Sequence, residues 1–285
     1  MASPTIVLNW SGNDVILDAD GNISIDEKAV RPFPSVITNA VVVGDFLIGT
    51  WVEHELGIAR LACLDLTSEL KDGVERAELR SNLSLHPNGS TWSHILDSEP
   101  LAMATNGESV AFVLWRTGVY LITPESVEIW RAAQPNWPEL NELPRAEEIC
   151  SISVDETVEI WSRGGGWSSH SLSDGSQIDS GVVEIPSAIV SVTRGEGWLL
   201  HHIDGHLTWL DENRVAKVVF KASGLVRAAS WDGNCWRATG WREDLLINSQ
   251  GVERNPRNEL GCGLKLEGEN WLVLDNTSTW SKHLG

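Results

Sequence analysis

Short apolar runs rich in Val, Ile and Trp recur along the whole chain, each broken by Gly, Asp or Pro. Runs this brief, bounded by turn residues, predict strands and not helices. Seven times such a run ends in Gly or Asp, takes a small acidic or polar residue, and turns apolar again. The instances are Gly12-Asn13-Asp14-Val15, Gly44-Asp45-Phe46, Gly107-Glu108-Ser109-Val110, Asp155-Glu156-Thr157-Val158, Gly195-Glu196-Gly197-Trp198, Gly233-Asn234-Cys235 and Gly268-Glu269-Asn270-Trp271. Gly reaches positive φ without steric cost and Asp, Asn or Glu tolerates an exposed corner, so each instance predicts a tight hairpin.

Aligning the turns yields a repeat of three or four strands. In the third copy they are predicted at 101–105, 110–115, 119–122 and 127–130. The fifth copy gives 188–193, 198–203, 206–210 and 215–220; the sixth gives 225–230, 235–241, 245–248 and 252–254. The last turn starts, at residues 155, 195, 233 and 268, approach the period of propeller blades, about 40 residues. Two longer steps imply insertions at 81–99 and 132–148, placed between a fourth strand and the next first strand. Helical patterns are weak, and 69–80 offers at most a turn or two, interrupted by Gly73.

A four-stranded antiparallel unit repeated seven times buries its faces by radial stacking. The prediction is therefore all-β: a single β-propeller domain over 1–285, with seven blades favoured over six. The seventh copy holds only about three strands. Either that blade is incomplete, or the N-terminal strand crosses over to close the ring. Gly118-Val119-Tyr120-Leu121-Ile122 and Asp204-Gly205-His206-Leu207-Thr208-Trp209 resemble the β-propeller superfamily of WD40-like and PQQ-like repeats. No WD dipeptide or complete PQQ-type motif recurs, so the resemblance implies a scaffold and no particular family or catalytic residue.

Charge narrows the partners. With 40 Asp and Glu against 21 Lys and Arg, the net charge is −19. That balance argues against nucleic acid and anionic membrane surfaces and suits a basic protein partner. Cys63, Cys150, Cys235 and Cys262 are scattered, with no CxxC and no zinc spacing, as in a reduced intracellular protein. The Met-Ala-Ser-Pro-Thr start has neither a basic n-region nor an apolar h-region, and no apolar run reaches helix-spanning length. The expectation is a cytoplasmic protein, monomeric on its own.

In an up-and-down blade the first-to-second and third-to-fourth turns share one face, which holds the seven acidic turns. The second-to-third turns and the blade-to-blade connections share the other. That second face is predicted to carry Trp51 with His54, Trp115-Arg116, Trp161 with Arg163 and Trp167, and Trp241-Arg242; the insertions add Trp92 and Trp137. Trp with Arg is the composition of interface hot spots. The competing reading is that these large rings fill gaps between blades. For Trp137, between Pro135 and Pro138, the expectation leans toward a ring available to a partner.

Other chemistry is thin. His202, His206 and Asp204 could begin a metal shell, but His201 and His202 point to opposite faces of a strand, so no metal site is expected. Asp18-Ala19-Asp20-Gly21-Asn22 lacks the Gly and Glu of an EF-hand loop and reads as a hairpin turn. Gly164-Gly165-Gly166 lies between strands, and no GxSxG elbow occurs. No catalytic residue and no cofactor follow. The reading is a non-enzymatic scaffold for a protein partner, with a lectin-like ligand-binding propeller as the alternative and a hydrolase or lyase at the central channel after that.

Overall fold

All seven acidic hairpins join the first and second strands of an antiparallel sheet. The computed structural model describes residues 2–26, 28–54, 57–73, 76–81 and 86–283. Blade 1 comprises β1 (Pro4–Trp10), β2 (Asn13–Asp18), β3 (Ile23–Ile25) and β4 (Lys28–Val30); blade 2 comprises β5 (Ile37–Val43), β6 (Phe46–Glu53), β7 (Ile58–Asp65) and β8 (Ser90–Leu96). Blade 3 holds β9 (Pro100–Thr105), β10 (Val110–Leu114), β11 (Gly118–Ile122) and β12 (Glu128–Ala132). Blade 4 holds β13 (Ile149–Val154), β14 (Thr157–Ser162), β15 (Gly166–Ser171) and β16 (Gln177–Val182). Blade 5 runs β17 (Ile189–Gly195), β18 (Gly197–His202), β19 (His206–Leu210) and β20 (Ala216–Lys221). Blade 6 runs β21 (Val226–Trp231), β22 (Trp236–Gly240), β23 (Glu243–Asn248) and β24 (Gly251–Pro256). Blade 7 has three strands among the described residues: β25 (Gly261–Glu267), β26 (Asn270–Asp275) and β27 (Trp280–Lys282).

The first strands β1, β5, β9, β13, β17, β21 and β25 touch in that order, and β25 returns to β1. The chain is a seven-bladed β-propeller with these strands as its inner wall. The N-terminal strand stays in its own sheet. Closure comes instead from packing β25 against β1, so closely that a Cβ on Gly263 would lie 2.7 Å from Val7 Cγ2. Lys265 Nζ also bonds Asp14 Oδ2 at 2.7 Å.

One insertion lies elsewhere than expected. The stretch 90–96 is β8, the fourth strand of blade 2, so the long excursion is 66–89, between third and fourth strands. Only one of the seven β8 residues is fully buried, so no apolar run betrayed it. This excursion, which holds helix α1 (Arg76–Ser81), leaves β7 on the face of the acidic turns. It reaches the connection between blades 1 and 2, where Gly73 N–H donates to the Arg31 carbonyl at 2.9 Å and Arg31 N–H to Asp72 Oδ1 at 3.0 Å. The other insertion does connect β12 to β13, and it contains one 3-10 turn at Pro138–Leu140.

Large rings fill the gaps between blades. Phe33 meets Trp51 with centroids 4.7 Å apart, Trp161 meets Trp198 at 6.0 Å, and Trp231 lies 5.5 and 5.4 Å from Trp209 and Trp236. Arg214 lies between two such rings, 3.4 Å from the Trp167 centroid and 4.2 Å from that of Trp198, and its guanidinium bonds Glu159 at 2.9 Å. Burial raises the Glu159 carboxyl pKa despite that cation.

Every inner strand bulges at its second residue: Thr5, Thr38, Leu101, Cys150, Val190, Arg227 and Cys262 are each skipped in the register with the second strand. A bulge bends the strand and re-aims its side chain. Thr5 and Thr38 donate their hydroxyls to the Leu17 and Thr50 carbonyls at 3.1 Å, and the Cys150 thiol reaches the Trp161 carbonyl at 3.6 Å. The seven bulges ring the channel on the face of the second-to-third turns, called here the upper face.

Candidate functional site

Six blades build the upper face by one repeated backbone bond. The first residue beyond the second strand donates its N–H to the carbonyl just before the first strand: Ala19 to Ser3, Trp115 to Glu99, Arg163 to Glu148, Ile203 to Ala188, Trp241 to Leu225 and Asn276 to Leu260, all at 2.8–3.1 Å. The clamp holds turn and connection together, so the residue at this position is presented on a rigid support. In blades 3 and 6 that residue is Trp, 45% and 53% exposed; in blade 5 it is Ile203, 57% exposed.

Trp115-Arg116 and Trp241-Arg242 are conformational copies. Both arginines adopt φ of 55°, a left-handed conformation uncommon for a residue with a Cβ. Each guanidinium turns back over its tryptophan, 4.7 Å from the Trp115 centroid and 6.0 Å from that of Trp241. Cation–π attraction and the aliphatic stem both favour that stacking. Arg116 N–H donates to Gln134 Oε1 at 2.9 Å, which ties the turn to the insertion.

Two surfaces result. In blade 3, Glu99, Leu101, Trp115, Arg116, Gln134, Arg145, Glu147 and Glu148 enclose a cleft of about 410 Å³. Arg145 grips Glu148 there with bonds of 2.6 and 2.9 Å. Across blades 5 and 6, Ile203, Leu225 and Trp241 form an apolar strip. It is kept flat by Gly224, where a Cβ would lie 2.7 Å from Trp241 Cβ. Val36 and Leu143 are also exposed on the upper connections. Of the large exposed apolar side chains, these six occupy the upper face. Val127, Val215 and Leu266 are on the opposite face, and the others line the rim.

The remaining candidates part company. Trp51, Trp137, Trp161 and Trp167 are buried, so they present no ring to a partner. Trp137 is folded down from its Pro-flanked loop and donates Nε1–H to the Trp167 carbonyl at 2.9 Å. Trp92 lies on β8, half-buried, and its Nε1–H bonds the Pro124 carbonyl at 2.8 Å at the third-to-fourth turn of blade 3. That removes it from the upper face. His54 is exposed in the blade 2 turn, and Arg163 lines a shallow hollow of about 320 Å³ with Leu143 and Ile185. Ile203, Leu225, Leu143 and Arg227 were missed. Ile203 could have been found by register, since it follows the second strand of blade 5 as Trp241 follows that of blade 6.

His202, His206 and Asp204 do not converge on a metal. His202 is buried, with Nδ1 at 2.6 Å from the Ser187 carbonyl and Nε2 at 3.0 Å from Thr208 Oγ1. Burial lowers its pKa. Asp204 bonds the Ser187 hydroxyl and His206 Nδ1, at 2.5 and 2.7 Å, and these bonds hold its carboxyl below the usual range. Among the described residues no group of three or more His, Cys, Asp and Glu is disposed to hold a metal ion. At Asp18, Oδ1 accepts the N–H groups of Asp20 and Asn22 at 2.9 Å, a turn cap of the Asx kind.

No protein-family model matches the chain, and no curated protein matches it. Solved structures do. The β-propeller domain of Cps50 (Swd1) from Myceliophteria thermophila matches with a TM-score of 0.67 at 13% identity, covering 99% of this chain and 96% of that one. The computationally designed Ika8 protein gives 0.65 at 10% identity, over 98% and 83% of the two chains. BamB from Moraxella catarrhalis gives 0.62 at 10% identity, over 98% and 84%. These likenesses show the β-propeller fold.

Proposed function

We propose that this protein is a non-enzymatic interaction scaffold that receives a protein partner on the upper face of the ring. The observation that supports this reading is the gathering of Val36, Trp115, Leu143, Ile203, Leu225 and Trp241 as exposed apolar side chains on that face. Exposed aromatic and aliphatic groups beside arginine, on turns braced by a rigid sheet, have the composition of an interaction hot spot. The four cysteines are unpaired, which suits a reducing compartment. Among the described residues no helix is long and apolar enough to cross a membrane.

The test is affinity capture from an extract of the source organism with the full chain as bait. Trp115→Ala/Trp241→Ala should lose the captured partner. Its stability should shift by no more than about 1 kcal/mol, because both rings are half-exposed. Ile129→Ala/Ile178→Ala, on the rim, should capture as the parent does. If the tryptophan variant retains the same partner, the upper face is not the docking surface.

A further inference from the structure

The chain is strongly acidic, yet its unpaired arginines collect on one face. Arg131, Arg194, Arg214, Arg237 and Arg254, on the rim, the opposite face or between blades, and Arg145 and Arg257, on upper connections, each form an ion pair with a carboxylate. Arg31, Arg116, Arg163, Arg227 and Arg242 form none among the described residues. All five lie on upper-face turns, on a connection or at the blade 6 bulge. With 40 carboxylates available to 21 cations, an exposed guanidinium without a carboxylate is the exception here; Arg31, Arg116, Arg227 and Arg242 are four such exceptions, and Arg163 is half-buried.

The local anions are largely spent. Glu148 is held by Arg145, Asp244 by Arg257 at 2.7 Å, and Glu243 by the Ser223 N–H and hydroxyl. Glu99 and Glu147 share the blade 3 cleft with Arg116, and Arg116 pairs with neither, lying instead on the Trp115 ring. Arg227, exposed at the channel mouth, directs Nη1 toward the Cys262 sulfur at 3.6 Å.

We propose that the upper face binds an acidic segment of a protein partner, its carboxylates gripped by Arg116 and Arg242 and its apolar side chains packed on Trp115 and Trp241. Guanidinium presents a fork of N–H donors that matches a carboxylate. Stacking on indole holds each fork in place before the partner arrives, which reduces the ordering cost of binding. The net charge of the chain repels polyanions in general, so only an acidic segment that also supplies apolar contacts gains enough to bind; this is selectivity by exclusion. The inference rests on the upper face being the docking surface.

Fluorescence anisotropy on the full chain tests it with three labelled peptides: repeating Glu-Leu-Asp units, the Gln-Leu-Asn counterpart, and the Lys-Leu-Lys counterpart. The Glu-Leu-Asp peptide should bind at least about tenfold more tightly than either other. Arg116→Gln/Arg242→Gln should remove that preference, and Arg131→Gln should leave it intact. Glu99→Gln/Glu147→Gln, both exposed and safe for the fold, should tighten binding by relieving repulsion. Equal binding of the acidic and amide peptides overturns the proposal. So does preference for the lysine peptide together with its loss in Glu99→Gln/Glu147→Gln. If Trp115→Ala/Trp241→Ala abolishes partner capture while Arg116→Gln/Arg242→Gln does not, the docking face stands and the acidic partner falls.

Discussion

The indole of Trp137 closes the gap between blades 3 and 4 by bonding the Trp167 carbonyl at 2.9 Å, directly over Gly166. A Cβ at Gly166 would come within 2.5 Å of Trp137 Cδ2, so glycine is required by a close approach and not by a turn. The Pro-rich insertion thus anchors itself to the ring by its most bulky residue, leaving Leu143 outside.

Trp137→Ala should therefore cost about 3–5 kcal/mol, as an emptied aromatic site does in a core. Gly166→Ala should cost about 1–3 kcal/mol by pushing the same ring out of place. Urea unfolding followed by fluorescence measures both. A loss under about 1 kcal/mol for Trp137→Ala would mean the ring is not a structural anchor.

His201 should make the fold acid-sensitive. It is buried between blades 5 and 6, with Nε2 3.1 Å from Thr193 Oγ1 and Nδ1 3.4 Å from the Val226 carbonyl. Burial pushes its pKa down from 6.5 to about 4. The neutral ring is the folded form, so its contribution is present above pH 6.5 and is lost as pH falls toward 4. The linked loss is about 3 kcal/mol over that window. His201→Gln should flatten that part of the stability profile. An unchanged profile in the variant would assign the acid sensitivity to other groups.

Closure should depend on size more than on charge. Gly263→Val places two methyl groups where Val7 already packs, and should cost at least about 3 kcal/mol or open the ring between blades 7 and 1. Lys265→Ala, which removes a partly buried pair with Asp14 and the contact of Nζ with the Trp280 ring, should cost about 1–2 kcal/mol. Calorimetry of the two variants separates these cases, and a larger loss for Lys265→Ala would reverse the order of the two forces.

How far the sequence reached differs by element. Blades 5 and 6 were legible nearly strand by strand, because their runs alternate and their turns carry Asp-Gly or Gly-Asn. The β8 strand was not legible, because an outer strand buries little and has no core pattern to display. Among the tryptophans, Trp115 and Trp51 look alike in sequence: each closes or follows a second strand, with a polar residue nearby. One residue of register separates their fates. Trp51 pairs with Ile37 inside β6 and is buried, whereas Trp115 lies just past the end of β10 and is exposed.

Local chemistry alone therefore determined the repeat, the seven hairpins and the blade count, since strand periodicity and turn residues act over a few neighbours. Which tryptophans are mortar and which are surface was decided only when blades met, because burial depends on the residue's position relative to the adjoining sheet. The grouping of unpaired arginines is likewise a property of the closed ring. Arg31, Arg116, Arg163, Arg227 and Arg242 are scattered along the chain, and only radial closure brings their turns and connections onto one face.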